Sequence, residues 1–289
     1  MDLGFKTLQK IENSLKPRNF QTRSSSYPYL CWDTYFELSD LRITNSEELE
    51  ILRNTLEIKD VHLVYVLTEI IEPFEKIVMK ANHRIHKLII GESDDHNPVS
   101  RLIPLLAKVD KIYANHLIGD NSRITALPVG IERQSYNSGG KIKDFKKKVN
   151  TDPNARKIVF LVAWNDATNT NRSLHKKEFE ESERALIIRN RVNASTFHNI
   201  LRKTLFVPCP AGNGIDTHRV WESIYLGAVP VILKNEFCGD ESCPVLVVPS
   251  WKFLIEKNMS ELHILYKQHR TSKEQAMIFS KKLLEGIKI

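Results

Sequence analysis

Four polar side chains crowd one short stretch of this sequence: Asp216, His218, Arg219 and Glu222, just after a loop that carries Gly212 and Gly214. The spacing predicts that they sit where a loop enters a helix. A helix start exposes unpaired N–H groups and partial positive charge, which suits an anion, and Arg219 adds a permanent cation. Glu222 lies one turn beyond His218 and three residues beyond Arg219, so it shares their face. A carboxylate there can accept hydrogen bonds from ribose or sugar hydroxyls. The same spacing also fits a capped helix with a surface Arg–Glu pair.

The flanking residues supply the elements that hold this junction. Leu205 to Val207 is an apolar run that stops at Pro208, as a buried strand would. Cys209 to Asp216 has no periodicity and reads as a loop. Asp216 or Thr217 can cap the helix that follows, and Val220, Trp221, Ile224 and Leu226 give it an apolar side. Gly227 ends the helix, because the residue past a helix end commonly needs positive φ. Ala228 to Leu233 is a second apolar strand, so the order is that of a parallel strand–helix–strand unit.

A second candidate follows the predicted strand Lys87–Ile90, where Glu92, Asp94, Asp95 and His96 share an acidic loop. In an α/β sheet, functional loops follow the carboxyl ends of strands. Any of these four groups could act as a general base, and the spacing does not choose among them. The Asp94–Asp95 pair also suits a divalent cation in principle, since paired carboxylates hold Mg²⁺ or Mn²⁺. A solvated loop with an Asn-Pro turn is the plainer reading of the same residues.

Cys209-Pro-x-Gly-x-Gly-x-Asp-x-His-Arg219-x-Trp-Glu222, followed by Gly227-Ala-Val-Pro-Val231, resembles the donor-binding signature of exostosin-like glycosyltransferases. The resemblance implies an α/β, GT-B-like fold: two Rossmann-like domains with parallel sheets facing a central cleft. Three further segments resemble that family. Pro28-Tyr29-x-x-x-Asp33-Thr34 opens the chain, with Asp33 a further candidate for the cleft or else a helix cap. Ser93-Asp94 matches an Asp-containing loop, and Thr168-Asn169-x-x-Arg172 follows the strand predicted over Lys157–Trp164. The looser Ala114-Asn115 and Pro128-Val-Gly-Ile-Glu132 segments place Asn115, His116 and Glu132 beside the cleft.

The resemblance implies a nucleotide-sugar donor, UDP-sugar by default, and no tightly bound cofactor. It implies no metal, since GT-B enzymes generally stabilise the leaving diphosphate with helix dipoles and basic residues. Thr168, Asn169, Arg172, Gly212, Gly214, Asp216, His218, Arg219 and Glu222 would bind the donor. Asp33, Glu92, Asp94, Asp95 or His96 would supply the base that activates a glycan hydroxyl. Ala211 departs from relatives that carry Arg or Lys there, which removes one phosphate contact. Two other classes share parts of the pattern: a GDP-fucose-dependent fucosyltransferase-like enzyme, and a non-catalytic nucleotide-sugar-binding partner subunit.

Composition permits this reading. The chain has 289 residues, 42% hydrophobic and 27% charged, with a formal charge of +7 and a pI near 9.1. A basic surface suits an anionic ligand and allows peripheral membrane contact. There is no arginine-rich arm or zinc-finger spacing, so nucleic acid is not expected. Four cysteines without paired short spacing suggest reduced thiols, and no apolar run spans a membrane, so a cytoplasmic enzyme is expected. The expected boundaries are an acceptor-side domain over 1–135, a basic linker over 136–155, a nucleotide-sugar domain over 156–258 and a helical segment over 259–289. Helices are predicted over Met1–Leu15, Tyr35–Asp40, Glu47–Leu56, Pro73–Asn82 and much of Leu262–Leu284, with a strand over Val61–Val66.

Overall fold

The computed structural model describes residues 25–94, 96–136, 141–234 and 243–289. The helix expected over Met1–Leu15 and the candidate Asp95 lie outside the described residues. The chain is α/β, and its two five-stranded sheets are both wholly parallel.

The first sheet contains β1 (Leu41–Ile43), β2 (Val61–Leu67), β3 (Ile85–Gly91), β5 (Val109–Ala114) and β7 (Ile124–Ala126), in that spatial order. The two-residue strands β4 (Asn97–Pro98) and β6 (Leu117–Ile118) pair separately. Before the sheet comes α1 (Trp32–Leu38); α2 (Ser46–Leu56), α3 (Ile71–Lys80) and α4 (Val99–Leu102) connect its strands. Parallel neighbours need such crossovers. Alternation along β2 sorts its side chains: Val64 and Val66 join one buried cluster, Leu63, Tyr65 and Leu67 the other. Both faces are covered, which is why β2 reads as an almost unbroken apolar run.

The helix expected to start at Tyr35 starts at Trp32, capped by the extended residue Cys31. Asp33 therefore lies in its first turn and is buried, not exposed as a cap.

A short helix, α5 (Ile142–Phe145), occupies the basic stretch expected to be a linker. Phe145 and Asp144 are fully buried there, so this segment is packed against the molecule. The second sheet follows as β8 (Ile158–Val162), β9 (Ala185–Ile187), β10 (Thr204–Pro208), β11 (Val229–Leu233) and β12 (Leu246–Val248). Its helices are α6 (Asn171–Glu180), α7 (Ala194–Leu201), α8 (His218–Tyr225) and α9 (Lys252–Ile255).

The C-terminal segment is two helices, α10 (Met259–His269) and α11 (Lys273–Lys288), each opened by a capping box, at Asn258 and Ser272. Its last turns return to the first sheet, where Lys87 Nζ donates to the Gly286 carbonyl at 3.1 Å. Tyr225 of α8 meets Ser280 of α11 at 2.6 Å, so the same helix also backs the signature helix. No helix among the described residues is long and apolar enough to cross a membrane.

Candidate functional site

The second sheet has the spatial order β12-β11-β10-β8-β9. Chain direction across the sheet reverses between β8 and β10, and in open α/β sheets ligands bind outside the strand carboxyl ends at such a switch point. The loops after these two strands carry the two motifs of the second half, Thr168 to Arg172 and Cys209 to Glu222. A cavity of about 1270 Å³ opens there. Its walls include Gly212, Gly214, Asp216, His218, Arg219 and Glu222 from one side, with Glu92, Asp94, His116, Glu132 and Tyr136 from the loops of the first sheet.

The loop from Cys209 to Thr217 has few ladder bonds of its own, and two buried side chains organise it. Arg172, near the start of α6, donates from Nε to the Ala211 carbonyl at 2.9 Å and from Nη2 to the Pro210 carbonyl at 3.0 Å. Its Nη1 reaches the Asn165 carbonyl and the Thr168 hydroxyl. Asn169 donates to the Gly212 carbonyl at 3.3 Å and does not line the cavity. Thr168, Asn169 and Arg172, expected to bind the donor, thus form a clasp in the ligand-free protein: Arg172 and Asn169 hold the loop backbone and Thr168 holds Arg172, while Thr168 and Arg172 also line the cavity. An arginine buried among carbonyl oxygens has its donors engaged before any ligand arrives.

The glycines serve the same packing. A Cβ added at Gly212 would stand 2.8 Å from Arg172 Nη2, and one at Gly214 would stand 2.1 Å from His116 Nε2. His116 is buried, with φ at +50°, and its Nδ1 accepts from the Asp216 backbone N–H at 3.4 Å. Burial pushes its proton affinity down to about 4, against the pull of Asp94, with His96 and His218 adding to the fall. The imidazole is neutral near pH 7.

Asp216 bridges the halves too. It accepts from the Val129 backbone N–H at 2.8 Å and from Trp221 Nε1 at 2.9 Å. Burial raises its carboxyl above the ordinary range, although both of these donors hold the charge. It does not cap α8: the N-cap is Thr217, whose side chain makes no capping bond. No side chain therefore takes the first N–H groups of α8 beside the cavity, and the Val220 N–H bonds the Thr217 carbonyl at 3.0 Å.

Arg219 stands at this open start. Among the described residues its Nε and Nη1 are sealed from solvent and have no hydrogen-bond partner, and Thr217 Oγ1 is in the same condition. Burial lowers the proton affinity of the guanidinium, while the Cys209 thiol and the Glu222 carboxylate raise it. Cys209 itself is buried, which lifts its thiol to about 12. Arg219 and Arg172 are both arginines near a helix start, yet one is fully clasped and the other is a cation without a close anionic partner. A half-buried charge in that position is costly unless something pairs it.

Glu222 projects from the next turn and is buried, with Oε1 3.6 Å from His198 Nε2. Behind it His198 Nδ1 meets Asp144 Oδ2 at 3.2 Å, and Ser195 and Lys147 also donate to Asp144. Burial would push the Asp144 carboxyl up; the bonds from Lys147, Ser195 and His198 and the Lys147 charge prevail and hold it well below the usual carboxylate range. Glu222 is thus backed by a buried histidine–aspartate pair that ties the signature helix to α5.

The carboxylates expected to supply a base divide sharply. Asp33 and Glu92 both bind Arg133, at 3.1 and 2.6 Å, and the three side chains are only 1%, 3% and 4% exposed. Tyr65 adds a 2.6 Å bond to Glu92. Asp33 and Glu92, both expected candidates for the base, thus share one buried guanidinium, which favours their charged form and ties the loop down. His96 is exposed and lies off the cavity wall. Asp94 remains on the wall, exposed, where Asn213 Nδ2 donates to it at 3.2 Å.

The reading from sequence missed Arg133 and the Asp144–His198 pair. Neither has a local signal, because each partner comes from a distant segment. Among the described residues no three His, Cys, Asp or Glu side chains converge as a metal site.

Comparison with family models and with curated proteins finds no match to this chain.

Proposed function

We propose that this protein is a nucleotide-sugar-dependent glycosyltransferase of GT-B-like build, with the two parallel sheets as its two Rossmann-like domains and the cavity as the cleft between them. The donor is a UDP-sugar, and the acceptor is a hydroxyl of a glycan or glycoconjugate. The observation that carries the reading is Arg219: a cation with unpartnered N–H groups, at an uncapped helix start, over the switch point of a parallel sheet. That combination suits a diphosphate, and the resemblance of the surrounding motif to the exostosin-like signature points the same way.

In the reaction, Arg219 and the N–H groups of α8 take up the charge that grows on the departing nucleoside diphosphate. Glu222, oriented by His198, accepts hydrogen bonds from ribose or sugar hydroxyls. The acceptor hydroxyl attacks C1 from the opposite face, which inverts the anomeric centre. No metal is invoked, since the Arg219 charge and the helix dipole are placed to do that work. The alternatives are a GDP-fucose-dependent enzyme and a non-catalytic nucleotide-sugar-binding subunit.

A thermal-shift panel with UDP, GDP, CMP and several UDP-sugars tests the proposal, because a ligand that binds only the folded state raises the midpoint. A rise with UDP and its sugars is the expected result, and a rise with GDP alone would favour the fucosyltransferase-like alternative. No rise with any nucleotide would refute the donor site.

A further inference from the structure

The sequence offers candidate bases on the acidic loop after β3; of these, Glu92 is clamped on Arg133 and His96 lies off the cavity wall. The remaining polar groups on the cavity wall include one imidazole whose geometry is fixed from both halves of the molecule. His218, the first residue of α8, places Nδ1 2.8 Å from the Gly130 carbonyl. A carbonyl can only accept, so Nδ1 carries the proton and Nε2 is the nitrogen free to titrate. Nε2 lies 3.6 Å from Glu132 Oε2, and the His218 side chain is 34% exposed on the cavity wall.

Gly130 makes this arrangement possible. Its φ is +68°, and a Cβ there would stand 2.0 Å from the Leu30 carbonyl oxygen. The segment from Gly130 to Glu132 is pinned to the start of α1 by a bridge to Cys31 and by the 2.8 Å bond from Ile131 N–H to the Leu30 carbonyl. The backbone acceptor for His218 and the carboxylate beside it are therefore held on a rigid seam.

We propose that His218, positioned by the Gly130 carbonyl and Glu132, is the general base that activates the acceptor hydroxyl. The assignment rests on the glycosyl-transfer reading above. The acceptor O–H bond breaks and its proton passes to Nε2 while the oxygen forms a bond to C1 of the donor. The bond from C1 to the phosphate oxygen breaks, and its electron pair leaves on the nucleoside diphosphate. The imidazolium that results is stabilised by Glu132.

The electrostatics agree with the geometry. Burial and the positive end of α8 oppose a charged imidazole. Glu132, the Gly130 carbonyl, Glu222 and Asp216 outweigh them and raise His218 above its ordinary value. His116 is pushed the other way, which makes it a weak proton acceptor. The base would also be composite, with the imidazole from one half and its orienting groups from the other.

The test uses the full chain, with UDP and GDP as binding probes and release of nucleotide from UDP-glucose, UDP-galactose, UDP-N-acetylglucosamine and GDP-fucose as the turnover readout. For H218Q, nucleotide affinity should stay within about threefold of wild type, while turnover should fall on the order of 10²- to 10⁴-fold, the usual range for a lost general base. E132Q should bind nucleotide normally and move the acidic limb of the kcat/KM profile to lower pH, because the carboxylate that raises His218 is gone. Nitrogen-resolved NMR of the His218 ring should show the Nδ1-protonated tautomer.

H218Q turnover within threefold of wild type, or an Nε2-protonated tautomer, overturns the base assignment. So does a collapse of turnover in D94N but not in H218Q. Binding of nucleotide by wild type without turnover of any panel member also overturns it. Absence of nucleotide binding in wild type instead removes the parent reading, and this one with it.

Discussion

Arg219 offers a prediction in which binding and stability should move apart. Methionine at this position keeps the unbranched stem and removes the guanidinium. In the free protein, Nε and Nη1 are sealed and without partners among the described residues, so the fold gains little from them. Removing a half-buried cation that lacks a close carboxylate relieves desolvation, and R219M should leave stability unchanged or raise it by up to ~1 kcal/mol. With nucleotide present the same guanidinium supplies a charge-assisted hydrogen bond worth about 1.5–3 kcal/mol. UDP affinity should then fall roughly 10- to 150-fold. Urea unfolding without ligand measures the first quantity, and calorimetric titration with UDP the second. A loss of more than about 1.5 kcal/mol in the ligand-free protein, beyond the usual scatter of exposed-site changes, would mean that Arg219 is structurally paired. Unchanged UDP affinity would refute the argument from the other side.

Three further outcomes follow from the same geometry. Replacing Arg133 by methionine strands Asp33 and Glu92 as buried carboxylates, and should cost on the order of 3–5 kcal/mol in urea unfolding at pH 7, with part of the loss recovered at pH 5 as they protonate. G214A drives a methyl group into His116 and should cost ~1–3 kcal/mol, and H116A added to it should recover much of that, as a double-mutant cycle would show. The Asp144 carboxyl is held below its ordinary value in the folded state, so its stabilisation is complete above the unfolded value near 4 and is lost as pH falls through the folded one. D144N should therefore be less stable than wild type at pH 7 but should lose stability less steeply between pH 4 and pH 2, by up to about 1.4 kcal/mol per pH unit.

The strands were legible because burial on both faces of a parallel sheet demands apolar runs. Val61–Val66 and Ala228–Leu233 were expected as strands, and β2 and β11 differ from them by one residue each. Gly227 was expected to end the signature helix, and its φ is +75°. Local chemistry set these features, so local sequence displays them. The helix at Trp32 was placed three residues late because its opening turn is aromatic and buried, packed as core, without the polar cap that marks most helix starts.

The site divides along a different line. By itself the sequence determined which residues could meet at the switch point of the second sheet: loop glycines, an arginine and a carboxylate one turn apart, each fixed by spacing along a single strand–loop–helix unit. Only the tertiary structure decided what each one does. Arg172 meets the carbonyls of a loop nearly forty residues away in sequence and becomes a clasp, while Arg219 meets no such partners and keeps its charge for the cavity. Glu92 and Asp33 meet Arg133 and share its charge, while His218 meets Gly130 and Glu132 and gains a fixed tautomer. A side chain's charge is written in its residue type, but its availability depends on which distant partner the fold brings within about 3 Å, the length of a hydrogen bond.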